Sequence, residues 1–165
     1  MKNFFLISIF TFISFSVVAQ NKVANAAYQS MLESLLTHSV NEIMVKDVNS
    51  DDNVVFLDTR AKKEFKVSHI KYAQWVGFLS YHKGKVKDIP KDKKIILYCS
   101  VGYRSEKITE KLMKEGFTNV FNLYGGFFEW VNEEKGIVNE IGPTLEVHPY
   151  DDDWGQWLYK GIKTY

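Results

Sequence analysis

Four short, mainly apolar runs stand out along the chain: Val54-Val55-Phe56-Leu57, Ala73-Gln74-Trp75-Val76, Ile95-Ile96-Leu97-Tyr98 and Val120-Phe121-Asn122-Leu123. Runs of this length bounded by polar or turn residues predict short buried strands. Elsewhere the period is helical. Ala24, Ala27, Tyr28, Met31, Leu32, Leu35 and Leu36 form an apolar stripe that predicts a helix within residues 21–36, packed on the domain. Ser39-Val40-Asn41-Glu42 has capping-box spacing and predicts a short helix beginning at Val40, with a polar turn over residues 49–53 leading into the first strand. Ile108, Leu112 and Met113 predict a helix over residues 106–115 that ends at Gly116. Gly125-Gly126 turns the chain into a last helix carrying Phe127, Phe128, Trp130 and Val131. Strands that alternate with helices through short connections make a parallel sheet flanked by helices, an α/β fold.

The junction after the third run carries the candidate chemistry, Cys99-Ser100-Val101-Gly102-Tyr103-Arg104-Ser105. Ligands of open α/β sheets bind at such strand-to-helix junctions. Gly102 supplies the positive φ that lets the loop curl, so its N–H groups converge with the unpaired N–H groups of the helix's first turn. Amides and a helix dipole around a sulfur favour the thiolate, the nucleophilic form. Cys99 is therefore the candidate nucleophile, and Ser100 to Ser105 the candidate binding loop. Arg104 either faces the pocket and holds an anion or bonds to the loop and keeps its curl. Asp58 and Arg60, at the carboxyl end of the first strand, share the edge of Cys99. Either they line its pocket, or Arg60 pairs with Glu64 and Asp58 caps the next turn.

Cys99-x-x-Gly102-x-Arg104-Ser105 after an apolar strand resembles the active-site loop of the rhodanese family of sulfurtransferases. Gly116-Phe117-Thr118-Asn119-Val120 with Asn122-Leu123-Tyr124-Gly125-Gly126 and Trp130 resembles the family's downstream strand, turn and final helix. Val54 to Arg60 with Glu64-Phe65 and His69-Ile70 resembles its first signature. The family usually has Gly before that histidine and Pro-Gly-Ala soon after it, where this chain has Ser68 and Lys71-Tyr72-Ala73. The resemblance covers residues 37–136. It implies a rhodanese-like α/β fold, a structural turn at His69, no cofactor, and sulfane sulfur carried as a Cys99 persulfide from thiosulfate or a similar donor to cyanide or a small or protein thiol. Two other readings stay open. A non-catalytic binding module would keep the fold, and a cysteine phosphatase would share the thiolate and amide cradle, although phosphatases place one residue more between cysteine and arginine than this chain does.

Composition narrows the setting. With 165 residues, 45% hydrophobic and 25% charged, the chain has room for one compact domain with extensions. Lysine plus arginine number 21 against 20 acidic residues, without a long block of either sign, so no nucleic-acid partner is expected. Residues 1–19 join a basic start, an apolar stretch and small residues up to Ala19, which predicts a signal peptide and export to the periplasm or beyond. A single cysteine excludes an internal disulfide, and His38, His69, His82 and His148 are too scattered to predict a metal site. The division that follows is a signal segment at 1–19, a helical extension at 20–36, the rhodanese-like domain at 37–136 and a C-terminal extension at 137–165. That last segment holds Tyr150, Trp154, Trp157, Tyr159 and Tyr165, too aromatic for a disordered tail. It is expected to dock, either on the sheet or N-terminal helix through Trp154, Trp157 and Leu158, or beside the Cys99 pocket.

Overall fold

The computed structural model describes residues 22–49 and 53–165; the predicted signal segment and residues 50–52 of the predicted polar turn lie outside them. In chain order the elements are α1 Ala26–Leu35, β1 Glu42–Ile43, β2 Val55–Asp58, α2 Lys62–Val67, β3 His69–Ile70, β4 Gln74–Trp75, β5 Ile95–Tyr98, α3 Tyr103–Lys114, β6 Val120–Leu123 and α4 Gly126–Asn132. Beyond these lie β7 Ile137–Val138, β8 Pro143–Thr144, β9 Glu146–Val147, α5 Asp152–Gly155 and β10 Ile162–Lys163. The central sheet has the order β1-β6-β5-β2-β4, all its pairs parallel.

Strand β5 lies mid-sheet and shows why its run is apolar without a break. Ile95 and Leu97 face one cluster with Leu57, Ile108, Leu112 and Val120, whereas Ile96 and Tyr98 face the other with Tyr28, Leu32, Leu123, Phe127 and Phe128. Alternate side chains of a strand point to opposite faces, and both faces here are covered by helices. The two layers bring the carboxyl ends of β2, β5 and β6 to one edge, with Asp58 level with Tyr98 and Leu97 level with Asn122.

Two local expectations meet a different outcome or a special geometry. No helix starts at Val40: Glu42–Ile43 pairs with β6, the Asn122 N–H donating to the Asn41 carbonyl at 2.8 Å and that of Tyr124 to the Ile43 carbonyl at 3.0 Å. Ser39, free of capping, donates from its hydroxyl to Glu110 at 2.6 Å, while Glu42 meets His38 at 2.8 Å. Edge pairing with backbone bonds outweighs a cap contributing only about 1 kcal/mol. At Lys71-Tyr72-Ala73, Tyr72 stands at φ +65, the left-handed conformation, at the position where the family usually has glycine. The turn is closed by the Ala73 N–H on the Ile70 carbonyl at 2.9 Å.

The last residues wrap back over the domain. β9 and β10 pair in parallel, Val147 and Leu158 are buried, and Trp157 stacks on Tyr28 of α1 with ring centres 5.5 Å apart. Asn132 at the end of α4 ties this segment down, donating to the Trp157 carbonyl at 3.0 Å and accepting from the Tyr159 N–H at 2.8 Å.

Candidate active site

Cys99 follows β5 directly and is 1% exposed. The loop after it curls because Gly102 takes φ +116, and the Gly102 N–H then donates to the Cys99 Sγ at 3.1 Å. A Cβ on Gly102 would meet nothing closer than 3.5 Å, so the left-handed backbone, and not lack of space, demands glycine there. The Gly102 carbonyl faces the other way and is held by the Ser105 hydroxyl at 3.0 Å and Asn122 Nδ2 at 3.1 Å. Ser105 thus braces the first turn of α3. The start of α4 fixes the rest of the loop: Phe127 donates to the Cys99 carbonyl at 2.8 Å and Phe128 to that of Ser100 at 2.9 Å.

Arg104 bonds neither to loop carbonyls nor solely to the pocket. Its Nη1 and Nη2 grip both oxygens of Glu64 at 2.9 Å each, and Nη2 also reaches Ser100 Oγ at 3.0 Å. Ser100 Oγ donates in turn to Glu64 at 3.1 Å. Burial pushes the Glu64 carboxyl up, but the Arg104 hydrogen bonds together with the charges of Arg104 and Arg60 outweigh it and hold the group below the usual carboxylate range. Burial likewise works against the Arg104 charge, and the bonds to Glu64 overcome it, raising that group above its ordinary value. The result is a closed triangle of Glu64, Ser100 and Arg104 at the lip of the thiol.

Glu64 is the residue that sequence reasoning missed. The chain pattern pairs it with Arg60, yet Arg60 belongs to Asp58. Asp58 accepts from the Arg60 backbone N–H at 2.8 Å and from its guanidinium at 2.6 to 3.1 Å, while Nη2 donates to the Ser68 carbonyl at 2.7 Å. The guanidinium lies 3.9 Å from the centre of the Phe127 ring, with no accessible surface. Asp58 and Arg60 do not line the Cys99 cavity, and Arg60 borders a neighbouring one instead. The sequence held one signal for Glu64: an acid three positions into a helix with no polar residue at Ala61, its side chain accepting the Ala61 N–H at 2.9 Å and pointing inward. His69 stacks on Phe65 with ring centres 3.9 Å apart, away from the thiol's lining.

Cys99 lies at the base of a cavity of about 290 Å³ lined by Leu35, Ser100, Val101, Tyr103, Arg104, Tyr150 and Trp154. Tyr150 and Trp154 come from the C-terminal extension. The Tyr150 ring lies 5.1 Å from the Arg104 guanidinium, and its backbone, at φ +73, is held by donation to His148 Nδ1 at 3.0 Å. One segment therefore both docks, through Trp157 and Leu158, and walls the thiol. The arrangement offers a sulfur nucleophile, an amide donor beside it, a cation at the lip and three aromatic rings lining the same cavity. Among the described residues no cluster of three or more His, Cys, Asp or Glu could hold a metal ion.

A family model for the rhodanese-like domain matches residues 43–133, more than half of the chain. The chain belongs to the rhodanese-like family. Solved structures agree on the fold: the rhodanese-like domain from Anabaena sp. superposes with a TM-score of 0.57 at 18% identity, over 62% of this chain and 81% of that one. Thiosulfate sulfurtransferase from Pseudomonas aeruginosa does so with 0.57 at 17% identity, over 79% and 26%. Curated relatives are more similar in sequence. The tRNA uridine(34) hydroxylase of Hamiltonella defensa is 35% identical over 106 residues, 61% of this chain and 28% of that protein. The enzyme of the same name from Acinetobacter baylyi is 33% identical over 105 residues, 60% and 33%. The chain thus spans about a third of the length of the curated relatives it matches.

These names correct two expectations. Transfer of sulfane sulfur from thiosulfate to cyanide or a thiol is overturned, since the relatives of this rhodanese-like chain carry the name of a tRNA-modifying enzyme. The exclusion of a nucleic-acid partner falls with it. Both errors have a physical source: an amide-cradled thiolate serves several reactions, so the loop alone does not choose a substrate, and net charge sums over a surface without locating its charges.

Proposed function

We propose that this rhodanese-like chain is a thiolate-dependent enzyme acting on a uridine of tRNA, the substrate named for its relatives. The observation that carries the reading is the Cys99 cavity, in which Tyr103, Tyr150 and Trp154 surround the sulfur. A base drawn out of a loop stacks on such rings with a gain of about 1–3 kcal/mol. Cys99 is the nucleophile: its S–C bond to the ring forms as a ring C=C bond opens and breaks as that bond re-forms, the added oxygen and the two-electron oxidation coming from an oxidant external to the chain, and the Gly102 N–H stabilises negative charge on the sulfur before the bond forms and after it breaks. Arg104, kept in place by Glu64 and Ser100, sets a positive charge at the lip without being free to swing away. The alternative of a non-catalytic module leaves the buried thiol and its donor without a use.

The test is the nucleoside at position 34 of tRNA from cells that carry the wild-type chain or Cys99→Ser as their sole copy. A product heavier than uridine by one oxygen atom, present with the wild type and absent with Cys99→Ser, is expected. Equal amounts in both overturn the reading.

A further inference from the structure

The loop between β4 and β5 and the end of α3 gather several exposed lysines. Lys83, Lys87, Lys91 and Lys114 line a cavity of about 320 Å³ together with Val86 and Glu115. All four are exposed, as is Lys111 one turn back on α3. None of these five has a carboxylate within ion-pair distance among the described residues. Lys107, by contrast, is paired with Glu110 at 2.7 Å and Glu106 at 3.5 Å. The negative charges nearby are Glu115, which accepts the Tyr81 hydroxyl at 3.1 Å, and the exposed Asp88 and Asp92 of the same loop. Like charges gathered around one hollow repel. Lys91 Nζ lies 3.6 Å from the centre of the Phe117 ring and Lys111 Nζ 5.9 Å from those of Phe78 and Tyr81, but no ring supplies a countercharge.

Their place relative to the thiol says what would. Tyr103 lines the Cys99 cavity at the first residue of α3, and Lys107, Lys111 and Lys114 follow it at spacings of four, four and three, along one side of the helix. The 12 residues of α3 span about 18 Å at about 1.5 Å each. That length corresponds to about five phosphates at about 3.4 Å per phosphate along one strand of a duplex. A mononucleotide at Cys99 does not reach the lysines, whereas a polynucleotide laid along α3 does.

We propose that Lys83, Lys87, Lys91, Lys111 and Lys114 form a phosphate-binding track that grips the RNA backbone toward the C-terminal end of α3, about 18 Å along the helix from Tyr103, while a base enters the aromatic cavity at the other end. The inference rests on the uridine reading, which supplies RNA as the polyanion, and it adds where the rest of that molecule is held. Lysine suits the task, since phosphate contacts position a nucleic acid without reading its sequence.

The test measures binding of a stem-loop RNA with a loop uridine to the full chain and to Lys87→Ala/Lys91→Ala/Lys114→Ala, from about 50 to 200 mM salt. Removing three phosphate contacts is expected to flatten the plot of log affinity against log salt by about two to three units, leaving the rate of Cys99 alkylation by iodoacetamide unchanged. A uridine trinucleotide, too short to span α3, should bind both proteins alike. An unchanged slope and affinity in the triple variant overturns the track, and so does polyglutamate of equal charge that binds as tightly as RNA with the same lysine dependence. The two proposals fail separately: lysine-dependent RNA binding with Cys99-independent modification sinks the functional reading alone, whereas Cys99-dependent modification with an unaltered salt slope sinks the track alone.

Discussion

Glu64 decides how the candidate nucleophile is presented, although it never touches the sulfur. Its carboxylate is the fixed point for Arg104 and Ser100, and replacing it with an amide leaves a largely buried guanidinium without its countercharge. Glu64→Gln should cost about 3 kcal/mol, the low end for breaking a buried pair, because Arg104 keeps some contact with the cavity. The pH dependence has a definite sign. A carboxyl held below its usual range in the folded state contributes stability that is fully present above about pH 4.3, its unfolded value, and is lost as pH falls through the folded value. Denaturant midpoints at neutral and acid pH should therefore converge: wild type is the more stable near pH 7 and loses its advantage over Glu64→Gln on acidification below about pH 4. Midpoints that stay parallel across that range would show that the pair does not titrate as its geometry requires.

Helix α4 acts on the site through its first residues. Gly126 stands at φ +59, and a Cβ there would come within 2.5 Å of the Cys99 carbonyl oxygen and 2.7 Å of that of Ser100. Those two carbonyls accept the N–H groups of Phe127 and Phe128, so the helix and the thiol's backbone are locked at a distance that leaves no room for a methyl group. Gly126→Ala has two costs, the left-handed backbone and the clash. A loss of about 2–4 kcal/mol is expected, with a change in the iodoacetamide alkylation rate of Cys99 even where the protein is fully folded. Wild-type stability and alkylation together would mean that α4 does not set the loop. Gly102 differs in kind, since a Cβ there would make only ordinary contacts, the nearest at 3.5 Å, and its backbone angle is what disfavours other residues.

At the scale of the whole molecule, the C-terminal extension is part of both the core and the cavity. A chain ending at Ile141 loses the buried Val147 and Leu158, exposes Tyr28 by removing Trp157, and takes Tyr150 and Trp154 from around Cys99. Burial of one Val and one Leu side chain contributes about 1.5–3 kcal/mol each, partly offset by the entropy of ordering the segment. The truncated chain should be less stable by at least about 2 kcal/mol, and at temperatures where it remains folded its affinity for a loop uridine should drop about tenfold, the worth of one stacking contact. Unchanged affinity in a folded truncated chain would remove Tyr150 and Trp154 from the binding wall.

By itself, the sequence determined the strands and the place of the thiol. Val54 to Leu57, Ile95 to Tyr98 and Val120 to Leu123 are mainly apolar runs too short for helices, and a cysteine followed by Gly102 at a strand-to-helix junction has one natural curl. The rhodanese-like family was legible for the same reason, because each of its three signatures is a local signal within a short stretch of chain. What connects distant residues was decided only in the tertiary structure. Ser39-Val40-Asn41-Glu42 reads as a cap until β6 offers it a partner; Glu64 reads as the mate of Arg60 until α2 turns it toward Arg104, forty positions on. Tyr150 and Trp154 reach Cys99 across some fifty residues of chain, and lysines from a loop and a helix end gather around one hollow. Period and spacing record how a residue relates to its near neighbours in sequence, whereas pairing of charges and closure of a cavity depend on which surfaces the fold brings face to face.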